Sequence, residues 1–533
     1  MEAESSSLLV PTFFLLILFS FLVKYYKSKT KPTHKLPPGP WKLPLIGNFH
    51  QVAQAGPLPH RSLRELAKKY GPFMHLKLGE NSTVVISSAK LAKEVLKTYD
   101  GSFQRRPLLA AVPTLVYGPA DIVFSPSSDY WRDMRKICTL ELLSKKKVQS
   151  LAFIREAEME RTIQKIRESA GSRINLSDMI FHLISVTVYR AAFGNSNMDH
   201  SEFILLIKEA MQILGGFHWG DLFPSIKPLF YLSGLKSKVE NLHERLDKFM
   251  EDIIKEHQKK QTEGRTDVEE EDLVDVLLRV QQSGSLQTNL TITNVKADIF
   301  AAGMDTSAAT LEWGMSEMMK NPRVMAKLQA ELREALKGKK TIQESDIEEL
   351  SYLKLVVKET LRLHCPTPLL IPRECTEATN IHGYDIPVKT RETLRLHCPT
   401  PLLIPRECTE ATNIHGYDIP VKTRVMVNVW AIGRDPQYWH DAESFIPERF
   451  EDSSLDYKGN NFEYLPFGGG RRICPGMNFG VASITLPLAL LLYHFNWELP
   501  DGMKPEDLDM TEVPGLAIAR KHPLCVIATP YQP

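Results

Sequence analysis

Cys474 stands in the run Pro466-Phe467-Gly468-Gly469-Gly470-Arg471-Arg472-Ile473-Cys474-Pro475-Gly476. The run offers one thiol, framed by glycines that let a flat ligand approach the backbone. The two arginines beside it can pair with carboxylates. A Cys thiolate is one of the few axial ligands that proteins give to haem iron, and it pushes electron density towards O–O cleavage. Taken alone, the run also suits a buried structural cysteine in a glycine-rich loop.

Three further groups carry chemistry if they converge on that thiol. Residues 292–320 read as one long helix, ended by Asn321-Pro322. Its middle is Ala302-Gly303-Met304-Asp305-Thr306. A glycine there costs about 1 kcal/mol relative to Ala. The Thr306 hydroxyl can bond back to the Ala302 carbonyl and bend the helix. Such a loosened stretch makes room for O2 and a water, with Asp305 and Thr306 as proton relays. By itself it reads as a close helix–helix contact. Glu359 and Arg362 lie three apart on one helix face, a pairing worth only about 0.2–0.5 kcal/mol on a surface. Trp131 and Arg135 lie one turn apart, as on any amphipathic helix. His364, Cys365, Cys375 and His382 recur as His397, Cys398, Cys408 and His415, but their spacing fits no compact zinc pattern.

The elements that must position these groups are mostly helical. Helical periodicity covers 91–99, 131–143, 148–169, 205–214, 239–257, 272–282, 292–320, 322–336, 345–364 and 479–493. Three short apolar runs in 75–87, and stretches near 423–429 and 516–529, read as strands. The acidic 267–272 reads as a solvated linker. With 533 residues, 43% hydrophobic and 24% charged, the chain can build a large core. A net charge of +1 excludes a bulk field for nucleic acid. Seven scattered cysteines suit a reducing compartment rather than a disulfide framework.

The first 23 residues read as a membrane anchor, with an apolar run at 8–23 and extension through Tyr25-Tyr26. A cleaved signal wants its positive charge in front. Here only Glu2 and Glu4 precede the run, while Lys24, Lys27, Lys29, Lys31 and Lys35 follow it. The positive-inside rule therefore leaves the body of the chain in the cytosol, with the sequon residues Asn175 and Asn289 unmodified. Residues 24–40 form a basic linker closed by the stiff Pro37-Pro38-Gly39-Pro40, and 41–533 form the catalytic body. Residues 359–391 and 392–424 are identical, a 33-residue tandem copy. The first copy suits the helix better: Leu353, Leu355, Val356 and Val357 lead into it, whereas Pro387 cuts short any helix entering the second.

The Cys474 run resembles the haem-binding signature of the cytochrome P450 monooxygenases, Phe-x-x-Gly-x-Arg-x-Cys-x-Gly, at every fixed position. Ala302 to Thr306 is similar to that family's oxygen-activation motif. Glu359 and Arg362, with Arg449 in Pro447-Glu448-Arg449-Phe450, are similar to its core lock beneath the haem. Trp131-Arg132-x-x-Arg135 resembles its propionate-binding helix. The resemblance spans the whole chain, and implies a mainly α fold with small β-sheets behind an N-terminal transmembrane anchor. It implies haem b held by Cys474 as metal ligand, with Trp131, Arg135, Arg472, Phe467 and Gly470 binding the cofactor and Thr306 and Asp305 acting in catalysis. The family usually has Pro at Cys365 and Cys398, so that turn departs from its pattern.

The combined motifs look like the plant endoplasmic-reticulum group that oxidises terpenes, including di- and sesquiterpenes, and some alkaloids. That implies electrons from NADPH through a cytochrome P450 reductase, which the basic strip Lys136, Lys145, Lys146, Lys147 could dock. The implied substrate is an apolar small molecule, with a pocket drawn from Leu109, Val112, Leu214, Ala302, Leu370 and Leu516. A phenolic or alkaloid hydroxylase, a haem-thiolate isomerase or dehydratase, and a chain inactivated by its duplication remain as alternatives.

Overall fold

The computed structural model describes residues 36–370 and 423–532, apart from 55, 108, 119, 197, 216–218, 227, 264–270, 285–287, 289, 300–302 and 516. Between those two blocks it describes Arg373–Glu374, Thr412–Ile414 and Tyr417–Ile419. The expected anchor at 1–23 lies outside the described residues.

The helices that concern the site are α1 (Pro59–Tyr70), α2 (Asp129–Ile137), α3 (Ala152–Glu168), α4 (Leu176–Phe193), α5 (His200–Gly215) and α6 (Leu235–Thr262). They continue with α7 (Leu273–Ser283), α8 (Ile292–Ile299), α9 (Gly303–Lys320), α10 (Pro322–Ala335), α11 (Ser351–Leu363) and α12 (Met477–His494). Helix α9 is central, in contact with α4, α11 and α12. Helix α12 is long and apolar enough to cross a membrane, but it is largely buried against α9, α10 and α11.

Among the described residues, four small sheets accompany the helices. In the largest, β1 (Phe73–Leu78) runs antiparallel to β2 (Asn81–Ile86). A second sheet contains β3 (Arg173–Asn175), and β4 (Arg373–Glu374) belongs to the first. A separate hairpin joins β5 (Thr412–Ile414) to β6 (Tyr417–Ile419). Strand β7 (Arg424–Val427) pairs parallel with β2 and antiparallel with β4. Strand β8 (Phe495–Glu498) joins β3 through β11 (Cys525–Pro530), while β9 (Glu512–Val513) pairs with β10 (Ala519–Arg520).

Several expectations need correction. Helix α4 shows no periodic stripe because it is buried nearly all round, and a helix without a polar face leaves no 3.6-residue signal. Helix α1 was likewise not expected. The helix expected over 345–364 is broken into Glu344–Ile347 and α11, because Gln343 and Asp346 form a capping box that starts a separate short helix. The apolar runs in 75–87 form two strands rather than three. Asp272, placed in a solvated linker, is buried as the N-cap of α7.

The tandem copies divide their labour. The end of α11 from Glu359 on, the turn at 364–370 and β4 come from the first copy; β5, β6 and Arg424 of β7 come from the second. Thr412 repeats Thr379, so an unduplicated chain would join β4 to β5 through four residues. Here the connection is 375–411, and the surplus falls wholly within it, outside the described residues.

Candidate functional site

The Cys474 run lies just before α12, so Cys474 sits at the end of a helix whose aligned peptides place partial positive charge there. The loop closes on itself: Cys474 N donates to Phe467 O at 3.0 Å. Gly468 and Gly470 adopt φ of +76° and +71°, which residues bearing a Cβ rarely reach. Burial pushes the Cys474 thiol up, against the Gly476 N–H and the Arg135 charge, which pull it down. A thiol raised in this way stays protonated by itself, and a cation at the sulfur would favour the thiolate.

Arg135 extends from α2 and donates from Nη1 to Ile473 O at 2.5 Å, tying α2 to the loop. Arg472 donates from Nη2 to Ser125 O at 2.6 Å. Its guanidinium lies over the Trp131 ring, 4.5 Å from the centroid. The Trp131 indole N–H is already engaged, donating to Ile122 O at 3.1 Å. Trp131 thus supports Arg472 through its ring face, while its own donor is committed to backbone.

Arg106 escaped the sequence reading. It is buried, and it interacts electrostatically with both Arg472 and Asp121. Burial pushes the Asp121 carboxyl up to about 7, although Phe124 N–H and Arg472 hold it down. Arg106 and Arg472 therefore share one acid that burial pushes towards its neutral form, leaving buried positive charge. Among the described residues, Arg472 Nε is buried with no hydrogen-bond partner. A thiol, a glycine cradle and surplus buried arginine fit a flat ligand that bears carboxylates and a metal. Sequence offered one cue to Arg106, an Arg-Arg-Pro turn, which is too common to act on.

Helix α9 borders the loop. A Cβ on Gly480 would meet Phe467 Cε1 at 3.8 Å and Ser307 Oγ at 3.9 Å, so Ser307, the residue after Thr306, faces the same place. Asp305 and Thr306 are half-buried. Burial pushes the Asp305 carboxyl up to about 6, partly countered by Lys208 of α5. A Cβ on Gly303 would meet only Val188 methyls, at 3.8 Å or more. Close packing of α9 on α4 therefore does not require that glycine. The expected Thr306 bond to Ala302 involves 302, outside the described residues; Thr310 Oγ1 makes the equivalent bond to Thr306 O at 2.8 Å.

Beneath the loop, Glu359, Arg362 and Arg449 come together. Arg362 Nε and Nη2 each donate to the Glu359 carboxylate at 2.7 Å. Arg362 also donates to Gly433 O and Ala442 O, at 2.6 and 2.8 Å. The duplicate pair Glu392 and Arg395 lies outside the described residues. Cys365, where Pro was expected, is buried with its thiol donating to Pro466 O at 3.5 Å, and burial pushes it up to about 12. His364 turns instead to Glu317 and stacks on Trp313.

Of the expected pocket residues, Leu109, Val112 and Leu214 join one buried apolar cluster with Met304 of α9. Leu370 lies in a different cluster, against Gly468. Ala302 and Leu516 lie outside the described residues. In the basic strip, Lys136, Lys145 and Lys146 are exposed, but Lys147 is turned inward onto Glu271 O.

Comparison with known proteins places this geometry. A sequence model of the family described as Cytochrome P450 matches residues 37–391 and 389–526. Cytochrome P450 71D8 of Glycine max is 56% identical, over 100% of both chains. Premnaspirodiene oxygenase of Hyoscyamus muticus is 51% identical, over 98% of each. The 5-epiaristolochene 1,3-dihydroxylase of Nicotiana tabacum is 50% identical, also over 98% of each. A solved zebra fish cytochrome P450 with abiraterone superposes with a TM-score of 0.71, covering 90% of this chain and 100% of its own at 24% identity, which speaks for the fold.

Proposed function

The chain belongs to the cytochrome P450 family and is a monooxygenase with plant 71D relatives, and on that premise we propose that it inserts one oxygen atom from O2 into a terpenoid, of the sesquiterpene or diterpene class. The observation that carries the substrate class is the match, over nearly the full length of each chain, to two enzymes named for the oxidation of premnaspirodiene and 5-epiaristolochene. The apolar cluster of Leu109, Val112, Leu214 and Met304 supports it, since a hydrocarbon gains by leaving water for such a surface. Leu370, Ala302 and Leu516 complete the proposed lining.

The family implies a haem-thiolate cofactor, a reductase partner and a small-molecule substrate. Haem b, once bound, supplies the oxidising power, using electrons that pass from NADPH through the reductase. Cys474 would ligate its iron. Arg106, Arg135 and Arg472 would hold its carboxylates, Trp131 fixes Arg472, and Phe467 with the bend at Gly470 keeps the thiol in place. Asp305 and Thr306 hold and pass protons beside Ser307. Glu359, Arg362 and Arg449 keep the floor rigid. Residues 1–23 anchor the chain in the endoplasmic reticulum membrane, 24–40 act as spacer, and 41–533 work in the cytosol. There Lys136, Lys145 and Lys146 form the docking face for the reductase.

The test incubates the full-length protein with reductase, NADPH and, separately, a sesquiterpene hydrocarbon, a diterpene and a phenolic acid. An oxygenated terpene is expected. Conversion of the phenolic acid with neither terpene touched would overturn the substrate class. Product formed without NADPH would point to an isomerase or dehydratase, against which the intact Asp305 and Thr306 already speak.

A further inference from the structure

Away from the Cys474 loop, three ionisable side chains meet in the interior. His257 of α6 and Asp272 and Asp275 at the start of α7 are 1%, 6% and 6% exposed. His257 Nδ1 lies 2.8 Å from Ile253 O, and a carbonyl can only accept, so this nitrogen carries the proton. Nε2 then faces Asp272 Oδ2, also at 2.8 Å. Asp275 N donates to Asp272 Oδ1 at 2.9 Å, and Asp272 N approaches Asp275 Oδ2 at 3.4 Å. Asp275 Oδ1 is left buried with no hydrogen-bond partner among the described residues. One ligand atom from each of the three residues lies within 4.8 Å of the others.

Charge separates the possible occupants. A second proton on His257 gives one imidazolium against two carboxylates, a buried surplus of one negative charge that only a further proton on Asp275 would remove. It also leaves Asp275 Oδ1 unserved. A divalent cation against neutral His257 and the two carboxylates brings the cluster to zero and serves that oxygen. Imidazoles that bind metals usually give their other N–H to a carbonyl or carboxylate, as His257 does to Ile253. One imidazole with two carboxylates is a nitrogen–oxygen set suited to first-row divalent ions.

We propose that His257, Asp272 and Asp275 bind one divalent first-row transition cation, with Zn2+ as the representative probe. On binding, the proton on His257 Nε2, where present, leaves to solvent, and no electron changes hands. A Cβ on Gly194, at the end of α4, would approach Asp272 Oδ2 to 2.7 Å, so the end of α4 and the start of α7 converge on α6 here. The cation fastens α6 and α7 beneath the end of α4.

The test uses the full-length haem-loaded protein in detergent, stripped with a chelator and titrated with Zn2+ alone. Expected are one Zn2+ per chain and a thermal midpoint that rises with Zn2+. Asp275→Asn and His257→Gln should each weaken that binding at least tenfold and abolish the rise. Asp275→Asn keeps an oxygen for the Asp272 N–H, and an unchanged carbon monoxide spectrum shows that it is folded. Zn2+ uptake equal in wild type and both variants would mean adventitious binding and overturn the site. A wild-type midpoint indifferent to Zn2+ would overturn it too, leaving a proton between His257 and Asp272.

Discussion

Arg449 Nε lies 3.0 Å from Glu359 Oε1, across 90 positions of sequence. The same oxygen accepts from Ile446 N and from Arg362 Nη2, so one buried carboxylate organises α11 and the segment leading to the Cys474 loop. Removing one partner strands the remaining charge, which costs about 3–5 kcal/mol. Glu359→Gln or Arg362→Ala should therefore yield protein with little haem and a collapsed thermal midpoint. Arg395→Ala, in the second copy, should leave both unchanged. Equal damage from Arg362→Ala and Arg395→Ala would show that the two copies interchange.

Cys474→Ser removes the only thiol in the loop. The reduced carbon monoxide difference spectrum should lose its thiolate-type Soret band, and monooxygenase turnover should fall to background. Survival of that band in the variant would overturn Cys474 as the ligand.

Excision of one 33-residue copy shortens the β4–β5 connection from 37 residues to four and gives the same 500-residue chain wherever the cut is made within the repeat. Loop-closure entropy rises by about 0.6 kcal/mol per doubling, so the shortened chain should be more stable by about 2 kcal/mol. Both forms should show a thiolate band. A band in the shortened form alone would mean that the duplicated chain is inactive.

Trp131 should tolerate Phe better than Ala. Phe keeps an aromatic face under Arg472 and gives up only the bond to Ile122 O. Haem content, measured per chain, should follow wild type, then Trp131→Phe, then Trp131→Ala. Equal losses in both variants would mean that the indole N–H, not the ring, is what the cofactor needs.

Asp305 carries a pH signature. Burial lifts its carboxyl to about 6, so between roughly pH 4 and 6 the folded chain binds a proton that the unfolded chain has released. Stability from this group accordingly falls as pH rises through that window and levels off above it. Denaturant midpoints of wild type and Asp305→Asn, taken from pH 4.5 to 6.5, should show wild type losing ground to the variant. A constant difference between them would place the Asp305 carboxyl in water.

The sequence by itself determined the chemistry. Cys474 with its glycines, Glu359 with Arg362, and the helical periodicity were all legible, because local spacing encodes ligand loops and helix faces directly. It also favoured the first copy for α11, where the described structure places that helix. Tertiary structure alone decided what depends on burial and distant partners. Arg106 joined the proposed site only when folding set it beside Arg472 and Asp121 in a low-dielectric interior. Asp272 moved from an imagined solvated linker to a buried cap. Lys147 left the basic strip for Glu271 O. Helix α4 had no stripe to read, because a helix surrounded by protein has no polar face. The surplus of the duplication was assigned to 375–411 by pairing: identical copies compete equally in sequence, but β7 has one place beside β2, and α11 has one beside Arg449.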